Sequence, residues 1–234
     1  MCGRYTLTDP VKFQDRFKLE DFSQYGIIPR FNVAPSQLNP VLIGRDGGIH
    51  LEVLQWGLYP KWAREKKLRP IINVRRETLA DKPTFKGNLK RNRCLIPTDG
   101  YFEWLPGEKG KKIPMYFTLN EHRNATFAGL YQDNTDTEGN TTRQYAIITV
   151  PSSEEFLYIH DRMPAIMTPD TERLWLDPEL SSTEELVSLL QPTSGEELST
   201  RPVSSVVNSA KTNSPECIAP EAVQHTLQLD IQNL

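Results

Sequence analysis

The chain has 234 residues, 38% of them hydrophobic and 24% charged, enough for one domain with a sizeable core and unlike fibrous or disordered sequences. It holds no apolar run near the roughly 20 residues that span a bilayer and no signal-peptide core, so a cytoplasmic, membrane-free protein is expected. The formal net charge of −3 argues against a nucleic-acid partner, yet residues 61–93 hold twelve Lys and Arg against three Asp and Glu. A local basic patch can attract phosphate on an acidic molecule, and a solvated loop kept basic for solubility would look the same.

In chain order, GRYTL predicts a first strand, and Asp9-Pro10 predicts an N-cap with proline at the first helical position, with Phe13 and Phe17 on one face. VLIGRDGGIHLEVLQWGLYP carries Asp46-Gly47 between β-rich runs and predicts a hairpin. Further strands are expected at CLIPTDGYFEWL, IPMYFTLN, ATFAGLYQ and RQYAIITV, the last two joined by the polar loop DNTDTEGNTT. Late helices are expected after Thr168-Pro169 and after a capping box at Ser182 and Glu185. Strands outnumber helices without βαβ alternation, so the expected class is α+β: a mainly antiparallel, curved or barrel-like sheet with a few peripheral helices. One domain over 1–211 is expected, with a loosely ordered extension over 212–234.

Cys2, Cys94 and Cys217 form no CxxC pair, and His50, His122, His160 and His225 show no ligand spacing, so neither a disulfide framework nor a metal or cofactor is expected. Cys2 is the unusual one. Removal of Met1 would give it a free α-amine, titrating near ~7.7–8.0, beside a thiol near ~8.5. Toward an amide the thiolate attacks and the amine serves as base. Toward an aldehyde the amine forms a Schiff base and the thiol closes a thiazolidine. A buried cysteine acting as a small hydrophobe is the plain alternative.

Other residues supply candidate partners. Strand alternation in TDGYFEW sends Glu103 to the face opposite Phe102 and Trp104, where partial desolvation would raise its pKa; a surface carboxylate on an edge strand fits equally. IHDRMP offers His160 as a proton shuttle, with Arg162 two residues on, although a lone histidine is more often a structural hydrogen-bonder than a catalyst. INVRRET places Asn73 and Arg75 on one strand face, an amide to orient a substrate and a guanidinium for phosphate, or else a turn amide and a solvated arginine. Pro35 in FNVAPSQ and Trp62 in WGLYPKW could stack on bases, and Trp62 could equally be core.

MCGR, NVAP, WGL, INVRRET, IPTDGYFEW and IHDRMP, in this order from Met1 to about Lys211, resemble the SOS response-associated peptidase family. The resemblance implies shielding of abasic sites in single-stranded DNA through a covalent thiazolidine crosslink from Cys2, by a monomer that joins the nucleoid when bound to DNA. It implies that Asn73 positions the terminal amine and sugar, Glu103 assists ring opening and Schiff-base formation, and His160 moves protons in the imine steps and in reversal. Arg4, Arg75 and Arg162 would hold the flanking phosphates, with Pro35 and Trp62 packing on bases. The family name also carries a peptidase activity; a one-residue leader falls to an ordinary aminopeptidase, so self-cleavage carries less weight. Two rivals stand beside this reading. A glutaminase-type amidotransferase also begins Met-Cys-Gly but typically continues with an apolar residue where this chain has Arg4. A plain single-strand DNA-binding module would use the 61–93 patch without covalent chemistry.

Overall fold

The computed structural model describes residues 2–19, 27–120, 124–135 and 138–221. Strand β1 (Arg4–Leu7) leads to Asp9, whose side chain accepts the Lys12 N–H and caps helix α1 (Pro10–Phe17). Strands β2 (Arg30–Val33), β3 (Leu38–Arg45) and β4 (Gly48–Trp56) follow. The β3–β4 turn has φ of 51° at Asp46 and 74° at Gly47, the two positive values a two-residue hairpin turn requires. Next come α2 (Lys61–Glu65), β5 (Asn73–Arg75), α3 (Pro83–Arg91), β6 (Arg93–Thr98), β7 (Gly100–Pro106) and β8 (Lys112–Leu119). The remainder comprises β9 (Ala125–Thr135), β10 (Thr141–Pro151), β11 (Arg162–Pro164), β12 (Ile166–Met167), α4 (Pro169–Leu176), α5 (Thr183–Ser188) and β13 (Leu198–Pro202). Thr168 caps α4 in a reciprocal box with Thr171, and Ser182 caps α5 by accepting the Glu185 N–H.

Strands β10, β4, β3, β6 and β9 pair in that order, and β9 closes back on β10, giving a five-stranded barrel whose β4–β10 contact is parallel. Beyond β4, β5 runs parallel to β10 with Asn73 opposite Ile147, while β11 pairs antiparallel with the end of β10, Arg162 opposite Pro151. The second sheet is antiparallel throughout, in the order β13-β8-β7-β1-β2. The α+β, barrel-like class expected from the sequence is the one observed.

The two sheets share one core. Tyr5 on β1 packs against Trp56 of β4, with ring centroids 5.3 Å apart, and its hydroxyl meets that of Tyr145 on β10 at 2.8 Å. Asp99 joins β6 in the barrel to β7 in the other sheet, and its carboxylate accepts hydrogen bonds from the Thr6 hydroxyl and from the Thr8 N–H and hydroxyl. Gly100 must follow it, because a side chain there would run into the Tyr116 hydroxyl and the Phe117 carbonyl. The outer face of the second sheet buries Phe102 and Tyr116 against Val203, Val207 and Cys217. Fully burying side chains such as these stabilises the fold by about 1.5–3 kcal/mol each.

Three sequence expectations change in detail. CLIPTDGYFEWL is two strands in two sheets, because Asp99 turns the chain between them. The segment 61–93 holds two helices: α3 buries Phe85 and Leu89, one helical turn apart, but Lys82 at its N-cap makes no side-chain cap and lysines fill its outer face. Half of the polar loop DNTDTEGNTT is taken up by β9 and β10, whose ladder extends to Thr135 opposite Thr141. Of the extension expected to be loosely ordered, residues 212–221 are described and 222–234 lie outside the described residues. The Thr212 carbonyl accepts from Asn32, and Asn213 Oδ1 accepts the Phe31 N–H. Among the described residues no helix is long and apolar enough to cross a membrane.

Candidate nucleophile and acid–base site

Cys2 lies two residues ahead of β1 and is fully buried. Its carbonyl accepts a 2.8 Å hydrogen bond from Asn73 Nδ2, so the strand edge of β5 fixes the position of the chain's second residue. The remaining polar atom of that amide, Asn73 Oδ1, is buried with no hydrogen-bond partner among the described residues. An acceptor is thus left beside Cys2 for an incoming N–H or O–H.

Glu103 reaches the same region from β7, where alternation places Phe102 and Trp104 in the outer cluster and Glu103 on the opposite face. It is 4% exposed. Burial pushes its carboxyl up to about 7 against the opposing charge and hydrogen bond of the chain's terminal ammonium, with the Asp161 charge adding and Lys112 opposing. Burial also drives the Cys2 thiol well above its ordinary range, and the Glu103 charge raises it further. At neutral pH the resting sulfur is therefore a thiol, while Glu103 is divided between its acid and base forms.

His160 stands before β11. Its Nδ1 accepts the Arg162 backbone N–H at 3.0 Å, and Asp161 Oδ1 lies 2.9 Å from the same nitrogen. A ring that accepts the Arg162 N–H at Nδ1 carries its proton on Nε2, whereas a proton on Nδ1, in the other neutral tautomer or in the imidazolium, would be donated to Asp161. Burial lowers the imidazole pKa, the chain's terminal ammonium and Lys112 add to the effect, and Asp161 and the Arg162 backbone contact oppose it, the balance favouring the neutral form.

The three arginines differ. Arg75 is exposed, and its guanidinium makes no hydrogen bond or ion pair among the described residues. Arg4 donates from Nη1 to Asn32 Oδ1 at 2.9 Å and to the Val207 carbonyl at 2.7 Å, so its guanidinium ties β1 to the segment that covers the outer sheet face. Arg162 is 9% exposed and forms a two-pronged ion pair with Glu77, each N–O distance 3.0 Å, while Nη2 also donates to the Thr149 carbonyl at 2.5 Å. Pro35 is half-buried in a turn that places Ser36 at φ 72°, and Trp62 on α2 is 41% exposed.

Within the basic segment, Arg64, Arg76 and Arg93 spend their guanidinium groups on backbone carbonyls, Arg93 within the core. Lys82, Lys86, Lys90 and Arg91 are exposed with Arg75. Sequence reasoning missed Glu77, Asp161 and Lys112. Glu77 lies inside INVRRET, but its partner is 85 positions away, and no local pattern marks that pairing. Two cavities of about 340 and 410 Å³, one lined by Arg16 and Thr168 and the other by Gly44 and Arg173, include none of the residues singled out above.

Residues 1–210 match the SOS response associated peptidase (SRAP) family. The chain is 41% identical over 223 residues to the abasic site processing protein YoqW of Bacillus subtilis, a match covering 93% of this chain and 99% of that protein. It is 34% identical over 222 residues to the abasic site processing protein HMCES of Xenopus tropicalis, covering 82% of this chain and 66% of that protein. A crystal structure of a protein from Bacteroides thetaiotaomicron superposes with a TM-score of 0.83 at 27% identity, covering 94% of this chain and all of that one. With its sheet arrangement and its sequence matched over nearly all of that length, the chain belongs to the SOS response associated peptidase family.

Proposed function

We propose that this protein processes abasic sites in single-stranded DNA by capturing the opened sugar on Cys2 once Met1 has been removed. The observation that carries the reading is the pairing of a fixed Cys2, held through its carbonyl by Asn73, with a buried carboxyl poised near neutrality at Glu103. The relatives' names as abasic site processing proteins support the substrate class.

The chemistry follows from those groups. The Cys2 amine adds to the sugar aldehyde and water leaves, giving an imine; the thiol then adds across the C=N bond, sulfur bonding to carbon and its proton passing to nitrogen. One water is lost overall. Glu103 as an acid protonates the oxygen that departs during ring opening and dehydration, and as a base it receives the thiol proton that burial otherwise retains. His160, carrying its proton on Nε2, donates in the imine steps and in reversal. Asn73 Oδ1 accepts from the amine or from a sugar hydroxyl.

Arg75 supplies the exposed phosphate contact, and the exposed cations of α3 extend the positive surface. Arg4 and Arg162 contribute from beneath, each holding a strand that carries the site. Pro35 and the exposed face of Trp62 offer stacking surface to flanking bases. Intact mass spectrometry tests the reading: the protein lacking Met1 should gain the mass of an abasic oligonucleotide less one water, stable to denaturant, and the Cys2→Ala variant should not. Hydrolysis of glutamine without any such adduct would favour the amidotransferase chemistry instead.

A further inference from the structure

We propose that Glu77 is a positioning residue that holds Arg162 in the fold and thereby sets the proton position on His160. The inference rests on the proposed crosslinking activity only for its kinetic consequence; its structural part stands alone.

Three observations join. Glu77 lies two residues beyond β5, in the 3-10 turn Arg76–Thr78, and β5, the strand whose Asn73 holds Cys2, lies along β10 with Arg75 opposite Thr149. Arg162 opens β11, which pairs with β10 at Pro151, and its guanidinium spans back to both Glu77 oxygens and to the Thr149 carbonyl. The backbone N–H of the same Arg162 donates to His160 Nδ1. One fork-to-fork ion pair therefore bridges the strand that anchors the nucleophile and the strand that orients the histidine, with β10 between them.

Arg162 is too enclosed to rehydrate if Glu77 is removed, so its side chain must move, and the β11 backbone that serves His160 moves with it. Once Nδ1 loses the Arg162 N–H, it is free to take a proton and donate to Asp161 at 2.9 Å. The charged groups that act on His160 are the chain's terminal ammonium, Asp161 beside it and Lys112 on β8; none of them is altered by a change at Glu77. Burial alone would raise the Glu77 carboxyl, but the Arg162 guanidinium holds it below the ordinary carboxylate range, so Glu77 stays charged through the neutral region. A charged Glu77 also occupies the fork that a DNA phosphate would otherwise claim, and the rival reading makes it a competitor of phosphate.

The test uses Glu77→Gln in the full chain lacking Met1. Nitrogen NMR of the imidazole should show the wild-type His160 protonated on Nε2 alone, and the variant with a mixed tautomer and a higher titration midpoint. Single-turnover crosslinking to an abasic oligonucleotide should slow about ten-fold, as expected of a misplaced catalytic group, with its acid limb moved to higher pH. Binding to an oligonucleotide carrying a tetrahydrofuran analogue, which cannot open to an aldehyde, should be unchanged. An unaltered His160 tautomer overturns the proposal, and so does tighter tetrahydrofuran-oligonucleotide binding in the variant, which would make Glu77 a competitor of phosphate. Absence of any crosslink in the wild-type protein would instead overturn the proposed function, leaving the NMR comparison to decide the role of Glu77. If Glu77→Gln does not fold, Glu77→Asp, which keeps the charge but shortens the reach, is read in the same NMR experiment against the same two outcomes.

Discussion

Glu103→Gln removes a titrating group from the protein interior while keeping its shape. A carboxyl raised from 4.5 to about 7 by burial binds its proton more tightly in the folded than in the unfolded chain. Between those two values the unfolded state ionises first, so stability falls as pH rises through the window and stays low above it. At about 1.36 kcal/mol for each pH unit, the full effect is about 3 kcal/mol. Because Glu103 is 4% exposed, solvent screening removes little of it. Glutamine has no such dependence. Urea denaturation followed by tryptophan fluorescence at pH 4.5 and pH 8 should show the wild type losing about 3 kcal/mol relative to Glu103→Gln. For a chain of this size that corresponds to a change of roughly 10 °C in the relative melting temperature. Subtracting the variant cancels other groups that titrate alike in both proteins. Parallel stability curves across this range would refute the argument that burial, and with it an acid–base role near neutrality, belongs to this residue.

Asn73→Ala should leave the Cys2 carbonyl without its donor, lowering stability by about 1–3 kcal/mol in denaturant titrations and slowing adduct formation in a gel assay. Arg75→Ala should weaken DNA binding across sequences and reduce the slope of log K against log salt by about 1, with the melting temperature unchanged. Arg4→Ala should do the reverse, lowering the melting temperature because Asn32 and the Val207 carbonyl lose a shared donor. Cys2, Cys94 and Cys217 are all buried, so the native chain retaining Met1 should react slowly with a thiol reagent at every cysteine. Removing Met1 should accelerate one of them, Cys2, identified by peptide mapping; equal rates before and after would contradict access to the nucleophile.

Local chemistry made much of this molecule readable from its letters. Asp9-Pro10, Asp46-Gly47 and Thr168-Pro169 each specify a backbone event within a few residues, and each marks the expected helix start or turn. The alternation of Phe102, Glu103 and Trp104 gave the inward direction of the carboxyl for the same reason. What escaped reading depends on residues far apart. Helix α3 carries no capping side chain and presents mostly charge, so its two core contacts were invisible without the β6 and β9 surface they meet. The roles of Arg4 and Arg162 depended on partners about two hundred and 85 positions away, so a basic side chain could not be told apart from a phosphate ligand. Glu77 lies within INVRRET, where a carboxylate among arginines resembles an ordinary surface charge.

Strand β1 lies in the interior of its sheet, with β2 on one side and β7, nearly a hundred residues later, on the other. Pairing strands so far apart in sequence carries a large loop-closure cost, which must be met before the sheet is complete. Until then Cys2 and Glu103 are parts of separate solvated segments, and neither has the environment that shifts its proton affinity. An unravelled chain that has lost Met1 therefore carries an open aminothiol with ordinary proton affinities, able to meet any aldehyde in solution. Under the proposed function, completing the architecture exchanges that indiscriminate reactivity for one that buried neighbours govern.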